Sequence, residues 1–187
     1  MKMIKTVMAG AIAMAMVSFG ANAAGAAAAP QLAKDQGQGV VQFKGTVIDT
    51  PCGIAPDSVD QSIDFGQISK SHLNNGGISV KKDLDIKLVN CDISAAATKA
   101  VSVTFSGTTA AGHATELGTA GETGTAIVVS GADGSPVSFD GMSKGGKTQL
   151  KDGDNILHYS AWVKKAADKT VTEGEFAAVA NFNLTYE

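Results

Sequence analysis

The 187 residues carry 15 basic and 18 acidic side chains, a formal net charge of −3, and every basic residue is a lysine. Without the forked guanidinium that grips a phosphate or a base edge at two points, and without a positive field to gather a polyanion, nucleic-acid binding is excluded as a function class. The length suits one domain built on a single hydrophobic core.

Residues 1–23 predict an export signal. Lys2 and Lys5 precede an apolar stretch, residues 7–19, that is too short to span a bilayer and ends in small residues. Ala21-Asn22-Ala23 fits the small-x-small rule for cleavage, which starts the mature chain at Ala24, with alternative sites along the alanine run to Ala29. Loss of Lys2 and Lys5 leaves 13 basic against 18 acidic residues, a mature charge of about −5. Past the signal no apolar run approaches the roughly 20 residues that a membrane helix needs.

An arm follows, residues 24–43. As far as Gly39 it is mostly Ala, Gly, Gln and Pro, with Leu32, Lys34 and Asp35 and no apolar face, so it is expected not to fold onto a core by itself. It runs into Val41 and Phe43, which share one parity with Gly37 and Gly39; on an extended strand all four point the same way.

The rest, residues 44–187, is expected to be all-β. Alternating segments at 40–49, 59–65, 84–90, 100–105, 125–130, 136–140, 156–164 and 176–186, separated by Gly, Asn, Asp and Ser clusters, predict the strands of a sandwich or barrel. Asp133-Gly134, Asp140-Gly141 and Asp152-Gly153 mark tight turns, and residues 69–75, closed by Gly76 and Gly77, predict one helical turn. In the last segment Phe176, Ala178, Ala180, Phe182, Leu184 and Tyr186 share one face, while Ala177, Val179, Asn181, Asn183 and Thr185 share the other. Such a strand needs cover for its edge, and the arm has the length and parity to supply it, on its own domain or on another copy.

Cys52 and Cys91, the two cysteines of an exported chain, can pair in one way. Closing a loop of about 40 residues removes roughly 4 kcal/mol of unfolded-state entropy in the chain-entropy model. A redox role would call for a Cys-x-x-Cys pair, which the sequence lacks.

Several stretches together carry a resemblance. They are the arm Gly37-Gln38-Gly39-Val40-Val41-Gln42-Phe43-Lys44-Gly45-Thr46-Val47, then Thr50-Pro51-Cys52, Asp60-Gln61-Ser62-Ile63-Asp64-Phe65-Gly66-Gln67, Leu88-Val89-Asn90-Cys91 and Ala180-Asn181-Phe182-Asn183-Leu184-Thr185-Tyr186. With these the chain resembles, over essentially its whole length, the major subunits (pilins) of chaperone–usher fimbriae, the rod pilins of P pili among them. The resemblance implies an incomplete immunoglobulin-like sandwich that lacks its final strand and is completed by donor-strand exchange. It implies as partners a periplasmic pilus chaperone that fills the groove first, an outer-membrane usher, minor pilus subunits, and further copies of the chain in a head-to-tail polymer used for cell adhesion at the cell surface. Gly37, Gly39, Val41 and Phe43 match the donor-strand face; Gly174 and Tyr186 match the chaperone-recognition signature, with Phe176, Phe182 and Leu184 on the same groove-lining face; Cys52 and Cys91 match the family's disulfide. The alanine-rich leader makes the arm longer than the family pattern, and the outermost donor position falls at Leu32 or Ala33.

Rival readings fail on context. Residues 141–148 spell Gly-x-x-x-x-Gly-Lys-Thr, but Asp152-Gly153 follows too soon for the helix that a phosphate loop needs. His72, His113 and His158 show no zinc spacing, Asp152 and Asp154 lack the other ligands of a calcium loop, and no Gly-x-Ser-x-Gly elbow is present. No enzyme activity, nucleotide or cofactor is expected. The alternative within the same system is a minor subunit or a sugar-binding adhesin. Sugar sites use exposed aromatic faces, whereas Trp162, the single tryptophan, sits in an alternating segment and is expected in the core. Asn183-Leu184-Thr185 is a formal glycosylation sequon inside a predicted strand.

Overall fold

The computed structural model describes residues 39–94, 99–110 and 112–187. The export signal, Leu32, Ala33 and Gly37 lie outside the described residues. The chain divides into two units, residues 1–45 and 46–187. In the first, residues 39–45 have no regular structure, and Val40, Val41 and Phe43 are exposed.

The second unit is built from strands. β1 (Gly53–Ile54), β2 (Lys82–Cys91), β4 (Thr109–Ala110), β5 (His113–Gly118), β6 (Thr125–Gly131) and β9 (Gly153–Lys165) form one sheet in the order β1-β2-β9-β6-β5-β4. β3 (Ala100–Gly107), β7 (Asp140–Lys144) and β10 (Ala180–Tyr186) form the other in the order β10-β3-β7, with β8 (Thr148–Gln149) also on β3. Every named pairing is antiparallel.

Period-two patterning sets the faces. On β9, Leu157, Tyr159, Ala161 and Val163 are buried, while the alternate Ile156 and His158 are exposed. On β2, Ile86 and Leu88 have no exposed surface, and Lys87 between them faces solvent. β3 differs because it has a strand on each edge and cover on both faces; residues 100–105 are all buried, so their alternation is of side-chain type, with Val101, Val103 and Phe105 inward. The inner faces of the two sheets meet in one core, where the Phe105 ring lies edge-on to Tyr159 at 5.1 Å and to Phe139 at 6.3 Å. Two stacked antiparallel sheets around one core make an immunoglobulin-like β-sandwich.

Cys52 and Cys91, both buried, form a disulfide that ties the chain before β1 to the end of β2. The helical turn forms as α2 (Lys70–Asn74), where Ser69 Oγ accepts from His72 N at 3.4 Å and Gly76 closes the turn at φ 85°. A second short helix, α1 (Pro56–Val59), is pegged to β2 by Ser58, whose hydroxyl accepts from Lys87 N at 3.0 Å. Gly134, Gly141 and Gly153 all take the positive φ that their Asp-Gly turns require.

The structure corrects the sequence reading in several places. Residues 40–49 and 59–65 form no strand: Val59 ends the short helix 56–59, and no strand pairs with either segment among the described residues, although Ile63 and Phe65 keep their inward alternation. The strand expected at 136–140 lies later, as β7, although Val137 and Phe139 are core residues. Strand β10 starts at Ala180 and not at Phe176. Trp162 is on the outer face, half-buried beside Val128 across the β6–β9 ladder, with the Lys81 ammonium 4.4 Å from its ring centroid.

Candidate functional site

β10 pairs with β3 over seven consecutive positions, from Ala180 opposite Gly107 to Tyr186 opposite Val101. Among the described residues no strand pairs with its other edge. Phe182, Leu184 and Tyr186, with Ala178 just before the strand, are only half-buried although they pack on the core; Asn181 and Asn183 face solvent. Burial pushes the Tyr186 phenol above its ordinary pKa.

Opposite this edge runs the segment 60–68, which makes no backbone–backbone hydrogen bond among the described residues. Between the two lies a furrow. One part, about 610 Å³, is walled by residues 58–62 and 178–182 and floored by Phe105, Val129 and Phe139, so the core itself forms its bottom. The other, about 940 Å³, lies between residues 63–68 and 171–176. There the Phe65 and Phe176 rings face each other at 6.5 Å. Lys70 Nζ meets Glu173 Oε1 at 2.7 Å, and Asn74 brackets Val171, accepting from its N–H at 2.9 Å and donating to its carbonyl at 3.2 Å. Lys70 holds the Glu173 carboxyl below its usual range.

Gly174 sits on the rim of the larger cavity at φ 149°, and a Cβ there would come within 3.3 Å of Thr123 Cγ2. Gly121 is required for a related reason, since a Cβ would overlap the Glu175 carbonyl oxygen at 2.0 Å. Residues 174–177 are thus laid tightly against 120–124, with Ala120 bridged to Ala177.

The structure therefore brings Gly174, Phe176, Phe182, Leu184 and Tyr186 onto one edge. Cys52 and Cys91 line neither cavity and act at the end of β2. Gly39, Val41 and Phe43 belong to the other unit; Phe43 is 91% exposed. Sequence reasoning missed the opposing wall, Ile63, Phe65 and Ile68, as part of the site; its signal was the alternation already read as a strand. The parity of the expected donor face does not end at Phe43. Gly45 and Val47 continue the parity of residues 39, 41 and 43, and Val47 is fully exposed. Residues 141–148 lie on strands β7 and β8 with a turn between, the wrong geometry for a phosphate loop, which ends in a helix.

Comparisons with known proteins fit this architecture. The family model described as "Fimbrial protein" matches residues 41–187. The Pap fimbrial major pilin protein of Escherichia coli is 58% identical, covering 99% of this chain and all of the relative, and the Fimbria A protein of Serratia marcescens is 41% identical over 83% of this chain and 88% of the relative. Among solved structures, the P pilus rod subunit PapA superposes with a TM-score of 0.70 at 56% identity, covering 74% of this chain and all of that one. A chaperone–usher pilus subunit, from a study of rod uncoiling, superposes with a TM-score of 0.77 at 55% identity, covering 85% of this chain and all of that one. The chain belongs to the fimbrial protein family and is a pilin.

Proposed function

We propose that this pilin is the major subunit of a chaperone–usher fimbria and polymerises by donating its arm to the furrow of a neighbouring copy. The observation that carries the reading is the outer edge of β10, which no strand pairs among the described residues, beside an apolar furrow whose floor is the core itself. On this reading the sandwich, residues 44–187, lacks its final strand, and the arm, residues 24–43, supplies it to the next molecule after the export signal, residues 1–23, is removed. Gly37, Gly39, Val41 and Phe43 form the donor face, and the donated strand runs past the arm into residues 44–48, where Gly45 and Val47 keep the same parity. On the β10 side the furrow is lined by residues 171–176 and 178–182, and the β10 edge continues to Tyr186, so a donor limited to residues 37–43 leaves much of this length bare.

An inserted strand of about ten residues contributes a ladder of backbone bonds and several apolar side chains, each of the latter worth roughly 1.5–3 kcal/mol when buried. Head-to-tail donation is heterologous and propagates as a fibre. An open edge of this kind is an aggregation hazard in transit. A periplasmic chaperone covers it first, with Gly174, Phe176, Phe182, Leu184 and Tyr186 as the recognised edge. An outer-membrane usher then exchanges chaperone for arm, minor subunits complete the organelle, and the fibre serves adhesion outside the cell.

The test is Gly39→Trp and Phe43→Asp, expressed with the complete assembly system. Both should abolish fibres while leaving the chaperone-bound subunit at parental levels. Normal fibres from both would overturn the donor assignment.

A further inference from the structure

The phosphate-loop-like segment finds its use in the acceptor strand. Glu187, the residue after β10, extends the β3–β10 ladder by one pair: its N–H donates to the Ala100 carbonyl at 2.8 Å, and the Ala100 N–H donates back at 2.9 Å. Its side chain then leaves the ladder and crosses β3 on the outer face. Ser102 Oγ donates to Glu187 Oε1 at 3.3 Å beneath it, and beyond β3 both Lys144 Nζ and Lys147 Nζ close on the carboxylate. The two lysines are anchored on the far edge of β3, where β7 pairs Lys144 with Thr104 and the Gly145 N–H donates to the Val103 carbonyl at 2.8 Å. Ala100, Ser102 and Thr104 are buried beneath this crossing.

β10 needs such a tie. Its outer face is Asn181, Asn183 and Thr185, and its inner face is only half-buried, so hydrophobic patterning fixes its register weakly. A slip of one residue would turn Phe182, Leu184 and Tyr186 away from the core on which they pack. We propose that Lys144 and Lys147 act through Glu187 as a register lock, holding β10 in the alignment in which its apolar side chains face an incoming strand. These are positioning residues: they touch neither the furrow nor its occupant. The inference rests on the reading of β10 as the acceptor edge.

Charge reversal tests it. In cells with the complete assembly system, Glu187→Lys alone and Lys144→Glu with Lys147→Glu should each lower fibre yield by about threefold or more, and all three changes together should restore it. In purified fibres, hydrogen exchange at the Ala100 and Glu187 amides should quicken in the first two variants and return to the parental rate in the third. Parental yields from the first two would overturn the lock. So would a triple variant as poor as they are, because the charges would then be read by another protein and not by each other. Phe182→Asp in the same cells separates the two ideas: if it blocks fibres while charge reversal does not, the lock alone fails; if it assembles normally, the acceptor-edge reading fails.

Discussion

Phe65 and Phe176 stand 6.5 Å apart on opposite walls of the larger part of the furrow, 111 positions apart in the chain, and belong to no strand. Aromatic pairs of this kind contribute about 0.5–1.5 kcal/mol beyond the area they bury. A double-mutant cycle, Phe65→Ala and Phe176→Ala, is expected to give a coupling in that range when read from thermal dissociation of assembled fibres. Additive effects would mean that the two walls do not act together.

Gly174 holds a backbone conformation that L side chains rarely adopt, with Thr123 close to where a Cβ would sit. Gly174→Val adds strain of about 1–3 kcal/mol at the rim of the furrow. It should lower both chaperone capture and the steady-state level of the subunit, as measured by co-purification and immunoblot. Unchanged levels would remove Gly174 from the recognised edge.

The disulfide closes a 39-residue separation between two buried sulfurs. Cys52→Ser is expected to cost about 2–5 kcal/mol, leaving little exported subunit in a periplasmic extract. Yield equal to the parent would show the bond to be dispensable.

Glu116 and Glu187 are two of the carboxylates, Glu173 among them, whose lowered pKa values give an acid response. At Glu116, buried on β5, burial pushes the pKa up, but the Lys164 ammonium at 2.7 Å, the Ala167 N–H and the nearby His113 together outweigh it and hold the group below its usual range. Lys144 and Lys147 lower Glu187 to about 2. A carboxylate with a lowered folded pKa binds more protons when unfolded, so its stabilisation is complete above the unfolded value near 4.5 and is lost as pH falls through the folded value. Subunit stability should therefore be flat with respect to these groups from pH 7 to about 5 and decline below about 4.5. Glu187→Gln should flatten that acid limb, measured by urea titration of fibres at a series of pH values, and an unchanged limb would assign it elsewhere. Lys164→Met leaves a buried carboxylate unpaired and should destabilise by about 1–3 kcal/mol at pH 7.

Much of the sandwich was legible because β2 and β10 alternate cleanly and sit in sheets with one wet face. β4 and β5 were not, because residues 107–124 are rich in Gly, Thr and Ala and carry almost no apolar rhythm. Residues 59–65 taught the opposite lesson: alternation was present, but a strand also needs a ladder partner, and none pairs there among the described residues. On β9 both parities contain large apolar residues, Ile156 and Trp162 against Leu157, Tyr159 and Val163; packing against β3 buries Leu157 and Tyr159, and packing against Leu73 and Val171 buries Val163. The edge residues from Phe176 to Tyr186 could be read from parity. The tie between Lys144, Lys147 and Glu187 could not, because it crosses a strand that joins segments 40 positions apart.

On the proposed reading the folded body cannot finish its own core. Purified residues 49–187, freed of chaperone, should aggregate or unfold, and a synthetic peptide of residues 33–48 should rescue a soluble one-to-one complex detectable by light scattering. A soluble, folded monomer of residues 49–187 without the peptide would contradict it.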